Sequence, residues 1–138
     1  HGTERVPDRL FPGPEMLRRA RLESLGIIGS RARTIRAVAK ATSEGRLCFD
    51  AAQDPEMFAE ALKSIPGIGD WTSQYVAMRA LKNPDAFPAA DLGLLRAFDE
   101  KGRERMKPAE LLRRSEAWRP WRAYAALLIW GSAAGAGG

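Results

Sequence analysis

Apolar residues recur along this chain at three- and four-residue spacing, between short clusters of Gly, Pro and polar residues. That period predicts amphipathic helices. Pro14 followed by Glu15 predicts a helix start running to about Ala20, with Pro at the first position and an acid in the first turn. Leu25-Gly26-Ile27-Ile28-Gly29 breaks it, and Ser30 reads as the N-cap of a second helix that Gly45 ends. Ile35, Val38 and Ala39 set its period, with Arg31, Arg33, Arg36 and Lys40 around them. A third helix is expected from Pro55 to Ser64, facing Met57, Phe58, Ala61, Leu62 and Ile65 inward. A fourth runs from Asp70 or Trp71 to Leu81, and Asn83-Pro84-Asp85 is a turn signal. The loop Phe87-Pro88-Ala89-Ala90 leads to Asp91 and two helical turns through Leu94, Leu95 and Phe98. Lys107-Pro108 and Arg119-Pro120-Trp121 each open a further helix, the last ending near Trp130-Gly131. Residues 132–138 read as a disordered Gly/Ala tail.

Composition supports an all-α fold. Val, Ile and Thr together number 13 while Ala alone numbers 23, which is poor strand material and good helix material. The 138 residues suit one domain, here residues 1–131, and no apolar run is long enough to span a bilayer. The start, His1-Gly2-Thr3-Glu4-Arg5, has neither Met nor an apolar leader, which suggests a piece of something longer. One Cys, Cys48, excludes an internal disulfide, a Cys₄ zinc site and a four-cysteine iron–sulfur cluster within the chain. The one His, His1, leaves no internal His base or His-ligated metal, so no metal is expected and carboxylates and aromatics must carry any chemistry. Net charge is +5, with 17 of the 22 basic residues Arg, which permits a polyanionic partner without demanding one.

The most informative segment is Leu62-Lys63-Ser64-Ile65-Pro66-Gly67-Ile68-Gly69-Asp70-Trp71-Thr72. Two helices meet at a tight turn with two glycines one residue apart. Glycine reaches positive φ freely and has no side chain to hold a ligand away. The amides of Gly67, Gly69, Trp71 and Thr72 then make an anion site at a helix N-terminus, suited to a DNA phosphate. This is the helix-hairpin-helix pattern, which grips a phosphate backbone without reading sequence. A plain helix–turn–helix corner capped by glycine is the other reading.

Twenty residues after Trp71 stands Asp91, at a helix start. An Asp there reads first as an N-cap. Ala89, Ala90 and Leu92 bring no competing charge, however, and the helix dipole keeps Asp91 ionised. It is thus also a candidate carboxylate for a reaction that develops positive charge. Trp71 and Tyr75 lie four residues apart on one helix face that Met78 continues, and the last helix brings Trp130. Trp118 and Trp121 read as core.

Residues from about Phe11 to Trp130 resemble the helix-hairpin-helix DNA glycosylases, in particular DNA-3-methyladenine glycosylase II. The matching stretches are Leu62–Arg79, Phe87–Phe98 and Trp118–Ala125 with Trp130 beyond. The resemblance implies a helical bundle of that type lacking its N-terminal portion, with the residue that wedges into the flipped base's place. It implies that Asp91 is catalytic. Bifunctional members carry a Schiff-base Lys two residues after the second hairpin Gly, where this chain has Trp71, so lyase activity is not expected. Substrates would be alkylated purines in double-stranded DNA, stacked between Trp71, Tyr75 and Trp130 as cation–π partners. No cofactor is expected, although a monovalent cation on the hairpin backbone is compatible with the family. A monomer in the bacterial cytoplasm, at the nucleoid, is the expected setting. A glycosylase for oxidised or deaminated bases and a noncatalytic DNA-binding module remain the alternatives.

Overall fold

The computed structural model describes residues 9–50 and 52–136. Among them are seven α-helices, two short 3-10 turns and no strand. The chain divides into two compact units, His1–Leu47 and Cys48–Gly138.

In the first unit, α1 (Pro14–Leu17) is a single turn, shorter than expected, and packs on α2 (Gly29–Ser43). Arg19 and Ala20 donate three residues back, to Met16 and Leu17, so the chain tightens out of the α-helix there. A 3-10 turn over Leu22–Leu25 intervenes. Ser30 is not the N-cap of α2. Ile28 holds that place and accepts from the Ala32 amide at 2.9 Å, which draws Ser30 into the first turn. Gly45 ends α2 as expected. It sits at φ +74, and Gly45 and Arg46 donate to Thr42 and Ala41 in a Schellman closure.

The second unit begins with α3 (Pro55–Lys63), which packs on α4 (Asp70–Ala80). Asp54 caps α3 through the Glu56 and Met57 amides. Phe58, Leu62 and Ile65 are buried, but Met57 is 73% exposed. It shares the stripe of Ala61 and exposed Ser64, one residue round the helix from the buried row. Next come α5 (Leu92–Ala97), α6 (Pro108–Ser115), a 3-10 turn over Glu116–Trp118, and α7 (Arg122–Ala136), which packs on α5. The core gathers Met78, Phe87, Leu94, Leu111 and Ala126, with Trp118 and Trp130 against it. Burying Phe58, Phe87, Leu62, Leu94 and Leu111 contributes about 1.5–3 kcal/mol each.

Three expectations change here. Trp121 is 58% exposed rather than core, tilted against exposed Tyr124. Met78 turns into the core and leaves the Trp71–Tyr75 face. Finally, α7 runs past Trp130-Gly131 to Ala136, so the expected tail is helical to that point. Alanines at 133, 134 and 136 favour helix enough to carry it across Gly131 and Gly135. Gly137 and Gly138 lie outside the described residues.

Candidate active site

The hairpin forms where expected. Ile65 closes α3 by donating to the Leu62 carbonyl at 3.1 Å, and Ile68 donates to Ile65 at 3.1 Å. Of the two hairpin glycines, Gly67 takes positive φ, at +95. Gly69 is extended, at φ −99 and ψ −175, and is the N-cap of α4. A Cβ added to Gly69 would meet nothing within 4 Å, so glycine there leaves open space beside the helix start. Among the described residues no side chain caps α4, in contrast to α3 and α5. Its first-turn amides, with the positive end of the helix dipole, therefore face outward without a side-chain acceptor. Lys63 approaches Asp70 at 3.8 Å across the turn.

Asp91 is an N-cap and more than that. Its Oδ1 accepts from the Leu94 amide at 2.9 Å, which starts α5. The same oxygen accepts from the Trp130 indole Nε1 at 2.8 Å, reaching in from α7. Oδ2 accepts from the Trp71 indole Nε1 at 2.9 Å, reaching in from α4. The carboxylate is thus held by neutral N–H donors from three helices. Partial burial pushes its pKa up, but the hydrogen bonds from Trp130, Leu94, Trp71 and the Gly93 amide outweigh that, and the net shift is downward. The group is a carboxylate at any physiological pH.

The aromatic residues gather as expected, in an arrangement the spacing did not specify. Trp71 and Tyr75 stack face to face, with ring centroids 4.9 Å apart and planes 9° apart. Trp130 lies 6.3 Å from Tyr75, tilted by 59°. A flat base needs about 3.5 Å on each side, so none fits between Trp71 and Tyr75 as they stand. Arg79, four residues after Tyr75, places its guanidinium 5.5 Å from the Tyr75 centroid. Tyr75 is therefore engaged by an indole and a cation. Trp71 is 38% exposed. Thr72 is half-buried in the first turn of α4.

Two neighbours were missed in the sequence. Gly93 lies inside α5, where a Cβ would come 3.0 Å from Asp91 Oδ1 and 3.5 Å from the Trp130 ring. A glycine inside a helical pattern was its signal. Gln74 accepts the Phe87 amide at 3.1 Å, tying the loop before Asp91 to α4, and nothing local in the sequence announces that bond.

No family model matches the chain. It is 39% identical over 120 residues to a Mycobacterium tuberculosis protein described as a probable bifunctional transcriptional activator and DNA repair enzyme, covering 87% of this chain and 24% of that one. It is 37% identical over 123 residues to DNA-3-methyladenine glycosylase 2 of Escherichia coli, covering 87% of this chain and 42% of that one. Among solved structures, the fission yeast 3-methyladenine DNA glycosylase in complex with abasic DNA superposes with a TM-score of 0.73 at 26% identity, covering 87% of this chain and 62% of that one. The fold is that of the helix-hairpin-helix DNA glycosylases. Within that class, the chain is similar in sequence and in fold to the DNA-3-methyladenine glycosylases over 87% of its length. It spans a quarter to about three fifths of the length of these relatives.

Proposed function

We propose that this chain is the catalytic portion of a monofunctional DNA glycosylase that releases alkylated purines, such as 3-methyladenine and 7-methylguanine, from duplex DNA. The observation that carries this reading is the Asp91 carboxylate, held ionised between the Trp71 and Trp130 indoles. The relatives named above include 3-methyladenine glycosylases, which favours the same substrates.

A damaged nucleotide is flipped out of the duplex at a cost of a few kcal/mol. Its cationic base stacks on Trp71, a cation–π contact of about 0.5–2 kcal/mol. This replaces the expected stacking between Trp71, Tyr75 and Trp130. The bond from the sugar C1′ to the base nitrogen breaks, and its electron pair leaves with the base. An alkylated base is already positive and departs neutral, so no acid has to protonate it. Positive charge grows on the sugar ring, and the Asp91 carboxylate stabilises it. Oδ2 carries one recorded donor and Oδ1 two, so Oδ2 has the freer lone pair for the sugar or the attacking water. Water adds to C1′ and loses a proton, leaving an abasic site. Trp71 has no amine with which to form a Schiff base, which is the reason to expect no lyase step.

The hairpin amides of Gly67, Gly69, Trp71 and Thr72 hold a DNA phosphate. A monovalent cation, if one binds, would sit on backbone carbonyls such as those of Ile65 and Gly69. Each already accepts one amide and keeps a second lone pair. Such an ion would supply positive charge beside the phosphate. The chain's surplus charge lies wholly in residues 1–47, with 10 basic and 5 acidic residues, while residues 48–138 balance at 12 and 12. Salt-sensitive attraction to DNA is therefore assigned to the first unit. Among the described residues no helix is long and apolar enough to cross a membrane. A bacterial nucleoid and a monomer remain the proposed setting.

The test is base release from duplexes carrying 7-methylguanine, an oxidised base or a deaminated base, with borohydride added to trap any Schiff base. Release of the alkylated base without trapping is expected. Preferred release of a neutral lesion would move the substrate to another class. The bond from Leu94 to Asp91 also favours a second reading, a DNA-binding module in which Asp91 is only a cap. Binding to an abasic-site duplex with no release from any substrate would favour that module.

A further inference from the structure

Asp85 lies six residues before Asp91, and Arg122 eight residues before Trp130. Arg122 meets Asp85 side-on, Nε to Oδ1 at 2.9 Å and Nη2 to Oδ2 at 3.1 Å. Arg119 adds a bond to Oδ2 at 2.6 Å. The Ala123 amide, one of the orphan donors at the start of α7, gives its hydrogen to the Pro84 carbonyl at 2.8 Å. Arg122 is 8% exposed and reaches Glu116 as well, at 3.5 Å. One end of the 84–91 segment is thus fastened to the first turn of α7. The other end meets the same helix at Trp130, about 12 Å further along at 1.5 Å per residue. Between the two, Phe87, Pro88 and Ala89 are buried, so the segment has little freedom to slide.

We infer that the Asp85–Arg122 pair is a positioning device for the reaction, setting the register of α7 against the 84–91 segment so that the Trp130 indole meets the Asp91 carboxylate. Neither residue touches the reacting atoms. Both act through Trp130. The geometry asks for this pair in particular. A bidentate guanidinium fixes angle as well as distance, whereas an ammonium supplies charge alone. Loosening the clamp lets α7 rotate or shift, and displacement near 1 Å is enough to cost up to about a hundredfold in rate. The inference rests on the proposed role of Asp91 for its kinetic consequence, but the contact it controls can be read without any reaction.

The experiment compares the 138-residue chain with its Asp85→Asn and Arg122→Lys variants. The four indole N–H signals are followed by ¹H–¹⁵N NMR, assigned with single Trp→Phe variants. Release of 7-methylguanine is measured in parallel. In both variants the Trp130 signal should move away from its hydrogen-bonded position. The rate at saturating DNA should fall about ten- to a hundredfold with little change in KM, and less for Arg122→Lys than for Asp85→Asn. Should Asp85→Asn not fold, Arg122→Lys alone decides. A folded variant whose Trp130 signal is unmoved overturns the inference, as does a moved signal with the parent's rate on an active parent. A moved signal with no base release even from the parent would retain the clamp and overturn the glycosylase reading instead.

Discussion

Asp54 and Asp91 begin in the same way. Each stands just before a helix, with φ and ψ of −62 and 117 at Asp54 and −64 and 125 at Asp91, and each accepts first-turn amides. At Asp54 both recorded bonds, from Glu56 and Met57, fall on Oδ1, and the residue is exposed. At Asp91 one amide suffices to start the helix, and two indoles from elsewhere in the fold take the remaining positions. The difference separates a helix cap from a candidate catalytic group. A cap satisfies its own helix, whereas Asp91 is built into a site that three helices share.

The largest effect expected from breaking this comparison is on chemistry. Asp91→Asn should lower release of 7-methylguanine by about a hundredfold or more, while Asp54→Asn leaves it unchanged. Next come the indoles. Trp130→Phe and Trp71→Phe keep a ring and lose the N–H, and each should slow release several-fold. They should also change the acid limb of the pH profile. A carboxylate with a depressed pKa is fully charged above the ordinary aspartate value of about 3.9 and loses its charge only as pH falls through its lower native value. The parent rate should therefore hold to a lower pH than that of either Phe variant. Whatever stability the ionised group lends the fold should likewise be lost only in that acidic window.

Smaller again is the cap itself. Asp54→Ala should cost about 1 kcal/mol of stability, a fall of a few degrees in Tm, with the rate per folded molecule unaffected. At the hairpin, Gly67→Ala should destabilise by about 1 kcal/mol because its φ is positive. Gly69→Ala should leave stability almost unchanged and weaken DNA binding, because its Cβ would occupy the open side of the turn. The smallest effect is in salt dependence. Replacing Arg31 and Arg33 by Ala should flatten the slope of log affinity against log salt by up to about two units.

What was legible in the sequence followed from local rules. The hairpin at 65–69 needs only glycine, a following helix and apolar anchors, all of which are neighbours in the chain. Gly45 as the close of α2 was equally local. The identity of the gathered residues, Trp71, Tyr75, Trp130 and Asp91, was legible from motif order. Their hydrogen bonds were not, because an indole's direction is set by how α4 and α7 approach α5. The self-stacking of Trp71 on Tyr75 escaped for the same reason, since four-residue spacing brings two rings together without saying whether a ligand fits between them. Met57 and Trp121 are hydrophobic yet exposed, so hydrophobicity alone does not place a residue in this core. Ser30 does not cap α2 because the Ile28 carbonyl begins the helix first.

The most direct test of the account is a carboxyl-carbon NMR titration of Asp91 in the parent and in the Trp71→Phe/Trp130→Phe double variant. The account predicts a midpoint below the ordinary aspartate value of about 3.9 in the parent, rising when both indole donors are removed. An ordinary or raised midpoint in the parent, unmoved in the double variant, would contradict it.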